Sequence, residues 1–188
     1  MNKLFRPYLT FLLMGTLLTF SACKDDDDPG PDEEQEVITA VTISLTPTGK
    51  GQNAEATIST LSGTPVQNAP LTLRPGTEYT AVVTMSDESK NPVADMTAEI
   101  RNERDEHLLV YTFTPDAGSN ATVNVAVTDT DQNNRPLGLE STVTTGAGTG
   151  NGKLKVVLKH QPGGLKTGTN TTAGETDVDV SFNVIVGN

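Results

Sequence analysis

Two histidines, His107 and His160, are the only imidazoles in the chain, and their positions make them the first candidates for chemistry. His160 closes the alternating run "KLKVVLKH", where Leu154, Val156 and Leu158 share its face, and His107 opens the run "HLLVYTF". If the strands expected near 106–114, 121–129, 138–145 and 152–160 alternate in direction, the first and last are antiparallel. The start of one and the end of the other then lie at the same end of the fold. Asp105, Glu106, Glu175 and Asp177 are the carboxylates nearest to that end in the sequence. Two imidazoles with one or two carboxylates are a donor set for zinc, copper or a similar divalent transition metal. The residues that point to such a centre are His107, His160, Glu106 and Glu175. A metal expectation carries a geometric requirement. Metal–nitrogen bonds of about 2.1 Å put the two rings within about 5 Å of each other, with a carboxylate alongside. The competing reading is structural: a histidine on an apolar strand face often bonds a backbone carbonyl through one ring nitrogen.

Other chemistries find less support. "DTDQNN", Asp129–Asn134, has oxygen side chains at alternate positions, as calcium loops do. Glu140 falls in its twelfth, bidentate slot, but its sixth position is Asn134 rather than the glycine that the tight turn requires. It reads as a turn set by Asn134 and Pro136. No serine sits in a Gly-x-Ser-x-Gly elbow, and "TTGAGTGNGK" lacks the Gly-Lys-Ser/Thr ending of a phosphate loop. Asp177 and Asp179 fall on the polar face of an alternating run, where they are expected to be solvated and not to act as a glycosidase pair. The chain is expected to be no enzyme.

The elements that must position these residues are strands. Val178, Val180, Phe182, Val184 and Val186 alternate with Asp179, Ser181 and Asn183; Val123, Val125 and Val127 alternate with Asn124 and Thr128. Period-two alternation of this kind predicts strands near 37–47, 53–60, 69–73, 77–86, 96–102, 106–114, 121–129, 138–145, 152–160 and 176–186. Many short strands separated by Gly, Pro and Asn predict an all-β fold, a single antiparallel immunoglobulin-like β-sandwich over 37–188. Two connections exceed hairpin length, Asp129 to Leu137 and Gln161 to Glu175, and long loops on a rigid β frame are where binding residues collect.

The amino terminus differs in kind. Lys3 and Arg6, an apolar run from Leu9 to Phe20 and the small residues Ser21 and Ala22 make the three parts of a secretory signal over 1–22. The apolar run falls short of the ~20 residues a spanning helix needs. Cys23 is the one cysteine, so an exported chain has no internal partner for it. "LTFSAC" resembles a bacterial lipobox, with Phe20 where a small aliphatic residue is usual. The resemblance implies that Cys23 carries acyl chains such as palmitate and anchors the protein to a membrane, each buried methylene contributing about 0.8 kcal/mol. Residues 23–36, with Pro29, Gly30 and Pro31 among eight acids, then form a disordered acidic tether. "KDDDD" resembles the surface-export signal of Bacteroidota lipoproteins, which implies an outer-membrane lipoprotein exposed at the cell surface, the periplasmic face being the alternative.

Net charge is −11 for the whole chain, and removal of Lys3 and Arg6 with residues 1–22 makes it −13. Such a chain, with no basic stripe, is expected to bind no nucleic acid. "EVITAVTISLTPTG", "MTAEIRNERDEHLLVYTF", "VTDTDQNNRPLGL", "LKHQPG" and "GETDVDVSFNV" together resemble a group of small Bacteroidota lipoproteins labelled "type 1 periplasmic binding fold superfamily". That label implies a two-lobed α/β fold, which about 150 residues without a helical period cannot build. What the resemblance implies about role is an accessory to nutrient uptake, beside a TonB-dependent outer-membrane receptor as partner. Two functions therefore stay open: a ligand- or metal-binding envelope lipoprotein, or a structural, adhesion or protein-interaction module of the cell surface. The second predicts separated histidines and an exposed apolar patch or open edge strand.

Overall fold

The computed structural model describes residues 36–187. The signal segment, Cys23 and the tether as far as residue 35 lie outside the described residues. In chain order the elements are β1 (Ala40–Pro47), β2 (Ala54–Ser59), β3 (Val66–Gln67), β4 (Leu71–Leu73), β5 (Glu78–Asp87) and β6 (Ala94–Asp95). There follow α1 (Met96–Asn102), β7 (His107–Pro115), β8 (Val123–Val127), β9 (Glu140–Thr145), β10 (Gly150–His160) and β11 (Glu175–Val186).

One sheet has the order β3-β2-β1-β5-β9-β8, with β6 added beside β5, and the other has the order β4-β11-β10-β7. Every pairing is antiparallel except β4 with β11. The alternation in the sequence is the cause of this layering, because residues two apart point to the same side of a strand. On β11 Val178, Val180, Phe182, Val184 and Val186 are buried, and Asp179, Ser181, Asn183 and Ile185 are exposed. They meet Ile43, Leu45, Ala56, Val83 and Val143 from the first sheet in one core, joined by Leu154, Val156 and Leu158 of β10. Each such aliphatic side chain stabilises the fold by about 1.5–3 kcal/mol when fully buried. The result is the all-β sandwich that the alternation predicts.

One predicted strand is a helix. Residues 96–102 form α1. Met96, Ala98 and Ile100 mimic a two-residue period, but Met96 and Ile100 are also four apart, and that spacing is the one the fold uses. Asp95 caps the helix, its side chain accepting the Thr97 N–H at 3.0 Å. Thr97 then pins α1 to β5: its hydroxyl accepts the Met85 N–H at 2.8 Å and donates to the Met85 carbonyl at 3.1 Å. No helix among the described residues is long and apolar enough to cross a membrane.

Candidate metal centre

His107 and His160 stand directly opposite each other in the β7–β10 register, as the antiparallel argument requires. Their rings stack with centroids 4.7 Å apart and planes 9° from parallel. This closeness meets the distance expected of a shared metal, yet the orientation does not. An imidazole lone pair lies in the ring plane, and two parallel, stacked planes have no point in common at which both lone pairs converge. A metal on His107 is therefore not a metal on His160 in this arrangement.

The neighbours of His107 define a different centre. Its Nδ1 lies 3.2 Å from the Glu103 carbonyl, just beyond the end of α1. A carbonyl only accepts, so Nδ1 carries the proton and Nε2 is a bare lone pair. Burial, and after it the His160 ring, pushes His107 down to about 4, so the ring is neutral at pH 7. That lone pair faces Glu36 Oε2 at 3.6 Å and Asp177 Oδ2 at 4.0 Å. The three side chains are 0%, 11% and 6% exposed. None of the three facing atoms has a hydrogen-bond partner among the described residues. Three buried acceptors aimed at one another with no donor between them repel, and a buried polar atom without a partner costs about 1–3 kcal/mol. Only a proton or a cation relieves this.

Each residue reaches the cluster for a local reason. His107 shares the inner face of β7 with Leu109, where alternation puts it. Asp177 is carried by a bulge. Leu158 pairs with Val178 and Lys159 with Thr176, which leaves Asp177 as the extra residue of β11. A bulge turns a side chain that alternation would send to solvent, so the solvated Asp177 expected from the sequence is instead buried. Glu36 corrects another expectation. Read from the sequence it is the last tether residue; in the structure it packs against the sandwich just before β1. Burial, and then the Asp177 carboxylate, pushes Glu36 up to about 7, and burial likewise raises Asp177.

Of the predicted ligands, Glu106 places Oε2 3.6 Å from His160 Nε2 on a part-exposed rim, away from the buried trio. Glu175 is opposite His160 in the register but exposed, and makes no ion pair among the described residues. A second grouping, Glu103, His107 and His160, brings ligand atoms within 4.8 Å of one another. The parallel rings weigh against it. In the sequence Asp177 keeps step with the alternation, so nothing there marks it as buried, and no sequence pattern marks Glu36.

The two long loops do close over this end. Lys166 Nζ and Asp131 Oδ2 are 3.3 Å apart, both fully buried, and Nζ also donates to the Arg104 carbonyl at 2.6 Å. Asp131 Oδ1 accepts the backbone N–H of Asn133 and Arg135, both at 2.8 Å, and Asp129 accepts those of Gly138 and Leu139. The "DTDQNN" carboxylates are thus spent on a turn, as expected, with Asn134 at φ 59°. Gly174 closes the other loop at φ +75°, where a Cβ would collide with the His160 carbonyl. Gly174→Ala is expected to cost about 2 kcal/mol or more, from the left-handed backbone alone. A chemical-denaturation midpoint unchanged from wild type would contradict that.

A hollow of about 730 Å³ around Leu73, Arg74, Tyr79 and Gly187 lies at the opposite end of the sandwich. Its buried hydroxyl, Tyr79, already accepts the Arg74 N–H at 2.8 Å. Beside the cluster, a smaller cleft of about 140 Å³ is lined by Ile38, Thr39, Thr60, Asp177 and Asp179. Compared with known proteins, the chain matches no family model, no curated protein and no solved structure.

Proposed function

We propose that the protein is a non-enzymatic envelope lipoprotein that binds a divalent transition metal through Glu36, His107 and Asp177. One observation carries the reading: three buried, unpartnered ligand atoms converge with no donor among them. Ligand atoms on a zinc tetrahedron are about 3.3 Å apart, given bonds of ~2.0–2.1 Å. The 3.6 and 4.0 Å separations exceed this, and all three ligand atoms lie within 4.8 Å of one another, so the side chains must draw inward to hold an ion. One imidazole nitrogen and two carboxylate oxygens suit Zn²⁺, Mn²⁺ or Fe²⁺, and the ion's positive charge offsets the repulsion among the three acceptors. The Nδ1 bond to the Glu103 carbonyl supports the same role, since outer partners of this kind orient metal-binding imidazoles. The cleft beside Asp177 offers solvent a way in.

Export and acylation at Cys23 rest on the sequence of the amino terminus. Service to an outer-membrane uptake receptor rests on the resemblance of the sequence phrases to the Bacteroidota lipoproteins. The test is calorimetric titration of residues 24–188 with Zn²⁺, Mn²⁺, Fe²⁺ and Ca²⁺. One equivalent of a transition ion is expected to bind and Ca²⁺ to give no heat, because a single imidazole and two oxygens do not fill its six to eight oxygen sites. No heat with any transition ion ends the proposal.

A further inference from the structure

The edges of the two sheets are not equally guarded. β3 has two residues and β4 has three, set between Pro70 and Pro75. β7 is crossed at Leu109 by the Leu137 carbonyl, which accepts the Leu109 N–H at 2.7 Å, and it ends at Pro115. Charges, prolines, bulges and covering loops are the usual protections of an edge strand. β8 carries no charge, proline or bulge, and among the described residues no backbone hydrogen bond reaches its outer side. From Ala121 to Thr128 there is no charged residue, no proline and no glycine, and the β8–β9 register runs without a break.

The register also shows which groups are free. Thr128 N–H donates to the Glu140 carbonyl and Gly146 N–H to the Thr122 carbonyl, so even-numbered residues of this strand bond β9. Backbone groups alternate in direction along an antiparallel strand. The N–H and C=O of Val123, Val125 and Val127 therefore point away from β9, and no other backbone partner takes them among the described residues. Above and below this row, Asn124 and Ala126 are exposed and the three valines are half-buried.

We propose that β8 pairs with β8 of a second copy, antiparallel and about a two-fold axis through Val125. The sequence of the strand, Val-Asn-Val-Ala-Val, is what chooses this occupant. Laid against itself it sets Val125 opposite Val125 and Val123 opposite Val127, with Asn124 opposite Ala126. A two-fold contact needs this self-complementarity. All six free backbone groups of each strand then find partners, and β-branched side chains face each other across the seam. The chain carries net charge −11, and a seam free of carboxylates puts no like charges opposite each other. The pairing is independent of the metal centre, which lies on other strands.

The register makes the test specific. Asn124 and Ala126 are exposed, so substituting them leaves the core alone, and each sits across the seam from the other. Asn124→Lys with Ala126→Lys places like charges opposite each other twice, and is expected to weaken the dimer about tenfold. Asn124→Lys with Ala126→Glu places opposite charges there twice and is expected to keep or tighten it. Sedimentation equilibrium of the full chain in detergent, with chelator present, reads all three proteins. A concentration-dependent dimer in the wild type and the charge-paired variant, weakened in the double-lysine variant, is the expected result. A wild type that stays monomeric at every concentration overturns the proposal, as does a dimer that the two variants alter equally.

Discussion

His107→Ala abolishes transition-metal binding, whereas His160→Ala leaves it nearly intact. This is the expected outcome of calorimetric titration, and it separates the buried trio from the two-histidine centre that the sequence points to. Among the described residues His107 supplies the only nitrogen aimed at Glu36 and Asp177. Its loss is expected to weaken binding by more than about a hundredfold, because even outer-shell partners of metal ligands are worth roughly 10–100-fold. His160 stacks on that ring without sharing its plane, so its removal takes away packing and no ligand. Equal losses in the two variants would restore the two-histidine reading.

The same centre sets a pH dependence whose sign follows from the two shifts. Glu36, held up to about 7 by burial and by Asp177, keeps its proton through mildly acidic solution, and Asp177 is raised as well. A metal bound to Glu36 must displace its proton. Apparent affinity is therefore expected to climb as pH rises toward 7, by up to about tenfold per unit for each proton released. His107, pushed down to about 4, is neutral over this range and adds no slope until the solution is far more acidic. Titration in two buffers of different ionisation enthalpy counts the protons. No release at pH 6 would contradict the assignment of Glu36 as a ligand.

Asp131→Ala is the substitution expected to harm folding most among those considered. It leaves the Lys166 ammonium fully buried, with the Arg104 carbonyl as its remaining partner. Burial lowers the Lys166 pKa, and Asp131 is the first of the groups that oppose this. Removing one member of a buried ion pair costs roughly 3–5 kcal/mol. For a domain of this size that corresponds to a fall in Tm on the order of 10 °C. Asp131→Ala combined with Lys166→Met is expected to be more stable than Asp131→Ala alone, since the stranded charge is then gone. If the double variant is no better, the loss belongs to the turn that Asp131 Oδ1 holds through Asn133 and Arg135.

The strands were largely legible because alternation is a local property: Val178 to Val186 declare their faces without reference to any other element. That His107 and His160 lie at the same end was legible too, since direction follows from counting strands. The stretch 96–102 was not. Seven residues fit both periods, and the contact that decides between them, Thr97 with Met85, is tertiary.

By itself, then, the sequence determined a two-layer β body, the residues of its core and the end at which its two imidazoles sit. Only the tertiary structure decided which carboxylates join them. Glu106 and Glu175 are nearest to the histidines in the register, yet their side chains lie on the solvent side. Asp177 enters through a one-residue bulge, and Glu36 arrives from a segment more than 70 positions away in the chain. A bulge shifts the facing of a strand without altering its composition, and an acid ahead of the first strand looks the same whether solvated or buried. The orientation of the two rings is likewise a matter of packing. That is why the proximity of the histidines was foreseeable and their stacking was not.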